Sequence, residues 1–207
     1  MSSRKLIQIQ DRKSKDLIDA TFIDGLSQDE IDKAINVWKP AMQAAQRRMD
    51  AEGVPVEQRP QHGHWDWNKK YQRLGQFLLF QFLGVECDGE MQGLCLLQTA
   101  NMFCRIPAQA GKGLVYIMFL EVAPWNSVRV VREPRYRLVG SLLVVEAIQI
   151  SHSLGFNGRI GLHALQQAED FYSKACGMDD LGPDHTHDGL RYFEMTSGQA
   201  NNFPSSR

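Results

Sequence analysis

The chain has 207 residues, 43% of them hydrophobic and 23% charged, with a formal net charge of −1. That is the composition of one ordinary globular domain, and the charge excludes a global attraction to nucleic acid or to an anionic membrane. No apolar run approaches the roughly 20 residues that span a bilayer, and Met1-Ser2-Ser3-Arg4-Lys5 leads into a segment too short and too polar for a signal peptide. The four cysteines, Cys87, Cys95, Cys104 and Cys176, show no CxxC spacing, which fits unpaired thiols in a reducing cytoplasm.

Leu6-Ile7-Gln8-Ile9 alternates weakly and predicts a short first strand, followed by a polar connector. Ser27 stands three residues before Glu30 as a capping box. Ile31, Ala34, Ile35, Trp38, Met42, Ala45 and Met49 then recur at helical spacing. Pro40 falls inside that pattern and predicts a kink or a break, and Gly53-Val54-Pro55 ends the helix. Next, His62 and His64 lie beside Trp65 and Trp67 in a stretch rich in loop formers. Without a third and fourth ligand at convincing spacing, this segment reads as an aromatic plug or pocket wall, and no metal is expected. A short helix is predicted from Asp66 to about Gly75.

Phe77 to Glu86 and Met91 to Thr99 are predicted strands, joined at Cys87-Asp88-Gly89-Glu90 because Asp-Gly supplies the positive φ angles of a tight hairpin. Asn101 to Gly113 is a loop, and Leu114 to Ala123 is an apolar strand stopped by Pro124. An arginine loop with Arg129, Arg132, Arg135 and Arg137 leads into a helix from about Leu138 to Leu154, ended by Gly155. Such a helix start, with a glycine at Gly140 and arginines nearby, can hold a phosphate-bearing ligand. Arg159 to Ala164 is a strand, Gln166 to Cys176 a helix and Leu190 to Thr196 a last strand, with a polar, frayed end after it. The order describes an α/β fold with a mixed sheet: a meander in the middle and crossover helices in the second half.

This order, with Arg135-Tyr136-Arg137-Leu138-Val139-Gly140 opening the helix, resembles the GNAT superfamily of acetyl-CoA-dependent N-acyltransferases. The family motif there is Gln/Arg-x-x-Gly-x-Gly/Ala, and Leu138 replaces its middle glycine, making the turn bulkier. Ala168-Glu169-Asp170-Phe171-Tyr172, followed by Cys176-Gly177-Met178, looks like a second family signature, with Leu165 where an asparagine is common. The resemblance implies a single GNAT-like domain over residues 1–197: an N-terminal strand, helices and acceptor-side loop (1–76), then a cofactor-binding sheet with helices (77–197). A flexible tail would occupy 198–207. The central sheet would be mixed and largely antiparallel, with splayed fourth and fifth strands and flanking helices.

The same resemblance makes acetyl-CoA the acyl donor. Backbone groups of Leu120, Val122 and their neighbours would pair with its pantetheine arm. N–H groups from Arg137 through Leu138, Val139, Gly140 and Ser141 would hold its diphosphate, with Arg135 and Arg137 as phosphate contacts and Ala168 in the same binding set. Tyr172 would protonate the departing thiolate, since a phenol of pKa about 10 can return a proton to a thiol of pKa about 8.5. His163 and Glu121 are the rival bases for the amine proton, Glu121 pointing to the opposite face from Leu120 and Val122. Trp65 and Trp67 would wall the acceptor pocket. The implied reaction is direct attack of a primary amine on the thioester in a ternary complex. The acceptor would be a small molecule, or the N-terminus or a lysine of a protein, and the family allows a homodimer. Two other readings compete. One is a non-catalytic acyl-CoA-binding sensor or interaction module. The other, an aminoacyl-tRNA acetylating toxin, is disfavoured by the near-neutral charge.

Overall fold

In the computed structural model, which describes residues 2–204, the chain opens with a hairpin rather than a single strand. β1 (Ser3–Asp11) pairs antiparallel with β2 (Leu17–Asp24) from Ser3↔Asp24 to Gln10↔Leu17. Asp11 makes the turn: its Oδ1 accepts from the backbone N–H of Lys13 at 2.7 Å and of Ser14 at 2.9 Å. The polar connector expected here is therefore only that turn. β2 escaped notice because Asp19 and Thr21 interrupt its apolar residues, of which Ala20, Phe22 and Ile23 are buried.

Ser27 caps α1 (Gln28–Ala51) with the expected capping box. The helix runs unbroken through Pro40. An interior proline costs about 3 kcal/mol, but the turns on both sides are held by burial: Ile31, Ala34 and Trp38 before it, Ala45 and Met49 after it. Burying side chains of this size contributes about 1.5–3 kcal/mol each for the larger ones, enough to offset the lost hydrogen bond. The predicted second helix is α2 (Trp67–Leu74), whose cap Asp66 accepts from Lys69 N–H at 3.0 Å. β3 (Phe80–Cys87) and β4 (Glu90–Gln98) meet at Asp88 and Gly89, with φ of +54° and +73°, the paired left-handed residues that Asp-Gly promised.

β5 (Val115–Val122) is the long apolar strand. A two-residue strand, β6 (Tyr136–Arg137), was not foreseen; it pairs with β1 through Gln10↔Arg137 and Asp11↔Tyr136. α3 (Val139–Ser153) and β7 (Ile160–Ala164) follow as expected. The next predicted helix is irregular: a 3₁₀ turn at Gln166–Ala168 and a π-helical turn at Phe171–Ala175. β8 (Asp179–Pro183) was missed, and β9 (Arg191–Met195) matches the last predicted strand. Within the stretch expected to fray, α4 (Ser197–Asn202) forms on a Thr196–Gln199 capping box; residues 205–207 lie outside the described ones.

The fold is thus mixed α/β with one largely antiparallel sheet, in the order β6-β1-β2-β3-β4-β5-β7-β9-β8. Contacts divide the chain into two compact units. The first holds the chain to Leu78 with Phe82–Cys95 and Leu120–Gly140; the second holds Leu79–Gln81, Leu96–Phe119 and the chain from Ser141 on. β3, β4 and β5 run through both. β5 and β7 are parallel, and their ladder ends at Ile117↔Leu162, so these are the splayed fourth and fifth strands of the sequence reading. Among the described residues no helix is long and apolar enough to cross a membrane. All four cysteines are buried and unbonded to one another.

In the second unit a fully buried carboxylate, Glu194, holds the loop before β5. It accepts from the backbone N–H of Arg105 (2.6 Å) and Ile106 (3.2 Å), from Gln109 Nε2 (2.9 Å) and from the Tyr192 hydroxyl (3.2 Å). A Glu194→Gln variant turns an amide NH₂ toward these donors. It should lose about 2 kcal/mol of stability in urea unfolding, and an unchanged midpoint and slope would show the network to be dispensable.

Candidate functional site

Two buried polar side chains shape the turn that leads into α3. Gln92 Oε1 accepts from Trp125 Nε1 at 2.8 Å and from Asn126 Nδ2 at 3.0 Å, and Asn126 Oδ1 accepts from Tyr136 N–H at 3.0 Å. This chain of bonds fixes where β6 begins. After it, Leu138 adopts φ +73°, the left-handed conformation that favours glycine. The sequence departs from the glycine pattern at this position while the backbone keeps the glycine-like shape. Val139 is buried, and Gly140 and Ser141 are half-buried at the start of α3.

The arginines around this turn are not equivalent. Arg135 is engaged by Asp88 at 2.8 Å and Glu90 at 3.6 Å, and its guanidinium lies 4.7 Å from the centre of the Tyr136 ring. Arg132 pairs with Glu52 at 3.2 Å. Arg137 is exposed, and its charge, with burial as the larger cause, depresses the pKa of Arg12 on the β1–β2 turn. Sequence reasoning offered no signal for Arg12, because the hairpin that carries it was not foreseen.

The most distinctive side chain of the first unit is Glu121 on β5, only 9% exposed. Trp67 Nε1 donates to its Oε2 at 2.6 Å. His62 Nε2 lies 3.7 Å from its Oε1. Burial pushes the Glu121 carboxyl up to about 7, against the smaller opposing effects of the Trp67 bond and the Lys70 charge. Burial also lowers the pKa of His62, assisted by neighbouring His64, so the imidazole is neutral near pH 7. These groups line a cavity of about 570 Å³ together with Trp38, Met42, Trp65 and His64, a size that suits a small ligand or the end of a larger one. Lys70 Nζ sits 5.4 Å from the centre of the Trp65 ring. The structure therefore brings Glu121, nominated as a base, together with Trp65 and Trp67, nominated as pocket walls, and adds His62 to them.

His163 belongs to the second unit and has a different character. Its Nε2 is 3.0 Å from Asp184, a carboxylate that can only accept, so Nε2 carries the proton. Its Nδ1 then accepts from the Tyr116 hydroxyl at 2.6 Å. Both ring nitrogens are taken. Burial is the largest influence on this imidazole and lowers its pKa. Bonds from Thr186, Arg105 and His163 hold the Asp184 carboxyl well below the usual carboxylate range. His163, Asp184 and His187 come within reach of one ion. The arrangement suits an ion pair better: the two imidazoles stack with centroids 3.8 Å apart and planes 10° apart, so their in-plane lone pairs run side by side, and Arg105 already sits 2.6 Å from the Asp184 oxygen.

Tyr172, also in the second unit, is buried in the π-helical turn, its ring 5.1 Å from that of Phe171 and 6.2 Å from that of Phe193. Ala168 closes the 3₁₀ turn just after β7. Leu120 and Val122 flank Glu121 on β5, both half-buried.

No protein-family model matches the sequence, and no curated protein matches it. Solved structures do. An uncharacterized protein of Bacillus halodurans aligns over 95% of this chain and 93% of its own, with a TM-score of 0.52 at 9% identity. A yellow fever mosquito protein assigned as arylalkylamine N-acetyltransferase 7 aligns over 95% of this chain and 96% of its own, with a TM-score of 0.51 at 11% identity. The fold is the GNAT fold. The left-handed turn at Leu138 lies inside Arg135–Gly140, and the π-helical turn overlaps Ala168–Tyr172 at Phe171 and Tyr172, the two stretches on which the sequence resemblance rested. At these identities the likeness concerns the backbone, and the side-chain geometry above belongs to this chain alone.

Proposed function

We propose that this chain is an acetyl-CoA-dependent N-acetyltransferase that acts on a primary amine, with Glu121 as its general base. The observation that carries this reading is the state of Glu121: buried, one oxygen held by an indole N–H, lining a cavity, and titrating near neutrality. A carboxyl of ordinary pKa is a weak proton acceptor for an amine at neutral pH, and one raised to about 7 is matched to the task. His163 is the poorer candidate, since both of its nitrogens already have partners.

The turn before α3 fits the proposed donor. Its backbone keeps the left-handed shape at Leu138, and the first-turn N–H groups of α3, from Val139 to Ser141, would hold the diphosphate. Arg137 is the better phosphate contact than Arg135, which is occupied by Asp88 and Glu90. Ala168 would complete that set, and the backbone of Leu120 and Val122 would receive the pantetheine arm. Bound there, acetyl-CoA supplies an activated thioester. The chain's own residues do the rest: Trp65 and Trp67 wall in the acceptor and favour a cationic amine, Glu121 takes its proton, and Tyr172 returns a proton to the thiolate.

Calorimetry with acetyl-CoA and free CoA tests the donor site, followed by a thiol-release assay over a panel of amines. Wild type should bind with a Kd on the order of micromolar, and Gly140→Trp, which fills the turn, should abolish that binding. No binding by wild type would sink the enzyme reading. Binding without turnover of any amine would leave the chain as an acyl-CoA-binding module.

A further inference from the structure

We infer that His62 is the proton relay of the acceptor cavity, passing the proton that Glu121 takes from the amine out to solvent. This rests on Glu121 being the base, as proposed above, and it assigns a role to a histidine that sequence alone weighed as part of a plug or pocket wall and, less favourably, as a metal ligand.

The geometry leaves few other exits. Glu121 has two oxygens, and Oε2 is committed to Trp67 Nε1 at 2.6 Å. A carboxylate already holding an indole proton on one side receives the amine proton on the other, Oε1. His62 Nε2 faces Oε1 at 3.7 Å. That gap is longer than a hydrogen bond, but one bridging water or a small side-chain rotation closes it. The side chain of His62 is 19% exposed and that of Glu121 9%, so the proton moves from the less to the more solvated partner. Burial and His64 hold His62 neutral, and in its Nδ1–H tautomer Nε2 has a lone pair to offer. The remaining charged groups around the cavity are Lys39 on α1, Asp66 at the α2 cap, and Lys69 and Lys70 on α2. With Lys69 paired to Asp66 at 3.5 Å, Lys39 and Lys70 oppose a further positive charge here, and the imidazolium beside the restored Glu121 carboxylate passes its proton on to water.

The transfers balance. An N–H bond of the acceptor breaks as an O–H bond forms at Glu121 Oε1, and the amine nitrogen becomes a neutral nucleophile. The Glu121 O–H then breaks as an N–H bond forms at His62 Nε2, restoring the carboxylate. The imidazolium loses its Nδ1 proton to water. His62 ends as the other neutral tautomer and resets through solvent.

Two readouts test this, one of them independent of turnover. In NMR titrations of ¹⁵N-histidine-labelled protein, the His62 Nε2 resonance should show its own transition and a second inflection near pH 7 from Glu121, absent in Glu121→Gln. A single transition in wild type, unchanged by Glu121→Gln, would overturn the contact. In steady-state assays, His62→Gln should lower kcat about tenfold with little change in KM, and added imidazole should restore most of the loss. A His62→Gln enzyme with wild-type kcat, or a loss that imidazole does not repair, would overturn the relay. Failure of the base is a separate outcome: it appears as wild-type activity in Glu121→Gln, whatever His62→Gln does.

Discussion

Replacing Glu121 by glutamine should lower kcat by about 10²- to 10⁴-fold, the usual contribution of a positioned general base, and leave the affinity for CoA unchanged. Glutamine keeps an oxygen for the Trp67 N–H and nearly the same volume, so the loss reports chemistry rather than collapse of the cavity. The pH profile gives the sharper signature. A base works only when ionised, so wild-type kcat should rise with pH through an inflection near 7, where Glu121 loses its proton, and level off above it. Trp67→Phe removes a bond that favours the carboxylate and should move the inflection to higher pH. A Glu121→Gln enzyme of full activity, or an inflection that ignores Trp67→Phe, would return the role to another group.

What the sequence disclosed and what it hid follow from the range of the forces involved. The first capping box, the Asp-Gly hairpin and amphipathic periodicity are local, and each appeared where expected: Ser27 with Glu30, Asp88 with Gly89, and Ile31 to Met49 on one helix face. Pro40 was misjudged because its local penalty is visible and the burial that offsets it is not. β6 was missed because a two-residue edge strand is defined by partners distant in sequence, Gln10 and Asp11, and β8 because its short, polar run carries Gly182 and Pro183 and an irregular register against β9. The candidate site divides in the same way. Glu121, Trp65 and Trp67 could be nominated singly, from a strand position and an odd composition. Their meeting at one cavity, with His62 as a fourth member, is tertiary and left no periodic trace. His163 looked a slightly better base than Glu121 because a chain position does not say that Tyr116 and Asp184 have taken both ring nitrogens.

The same Glu121→Gln substitution should make the fold more stable above pH 7. The Glu121 carboxyl titrates at about 7 in the folded protein against an ordinary 4.5. Between those values the folded state keeps a proton that the unfolded chain has lost, so stability falls as pH rises from about 4.5 to about 7 and is level beyond. At 1.36 kcal/mol for each pH unit, ionising this buried carboxyl costs about 3 kcal/mol at pH 8. Glutamine has no proton to lose and escapes that cost while still accepting from Trp67. Urea unfolding should therefore find Glu121→Gln about 3 kcal/mol more stable than wild type at pH 8, with the difference nearly gone at pH 4.5. Equal stabilities at both pH values would mean that the carboxyl is not perturbed, and the case for a neutral-pH base would go with it. Taken with the kinetic prediction, the expected pattern is opposed effects from one atom change: a sturdier fold and a lost reaction. Packing alone cannot produce that opposition, because a side chain placed for packing does not weaken the fold at the pH where its charge is needed.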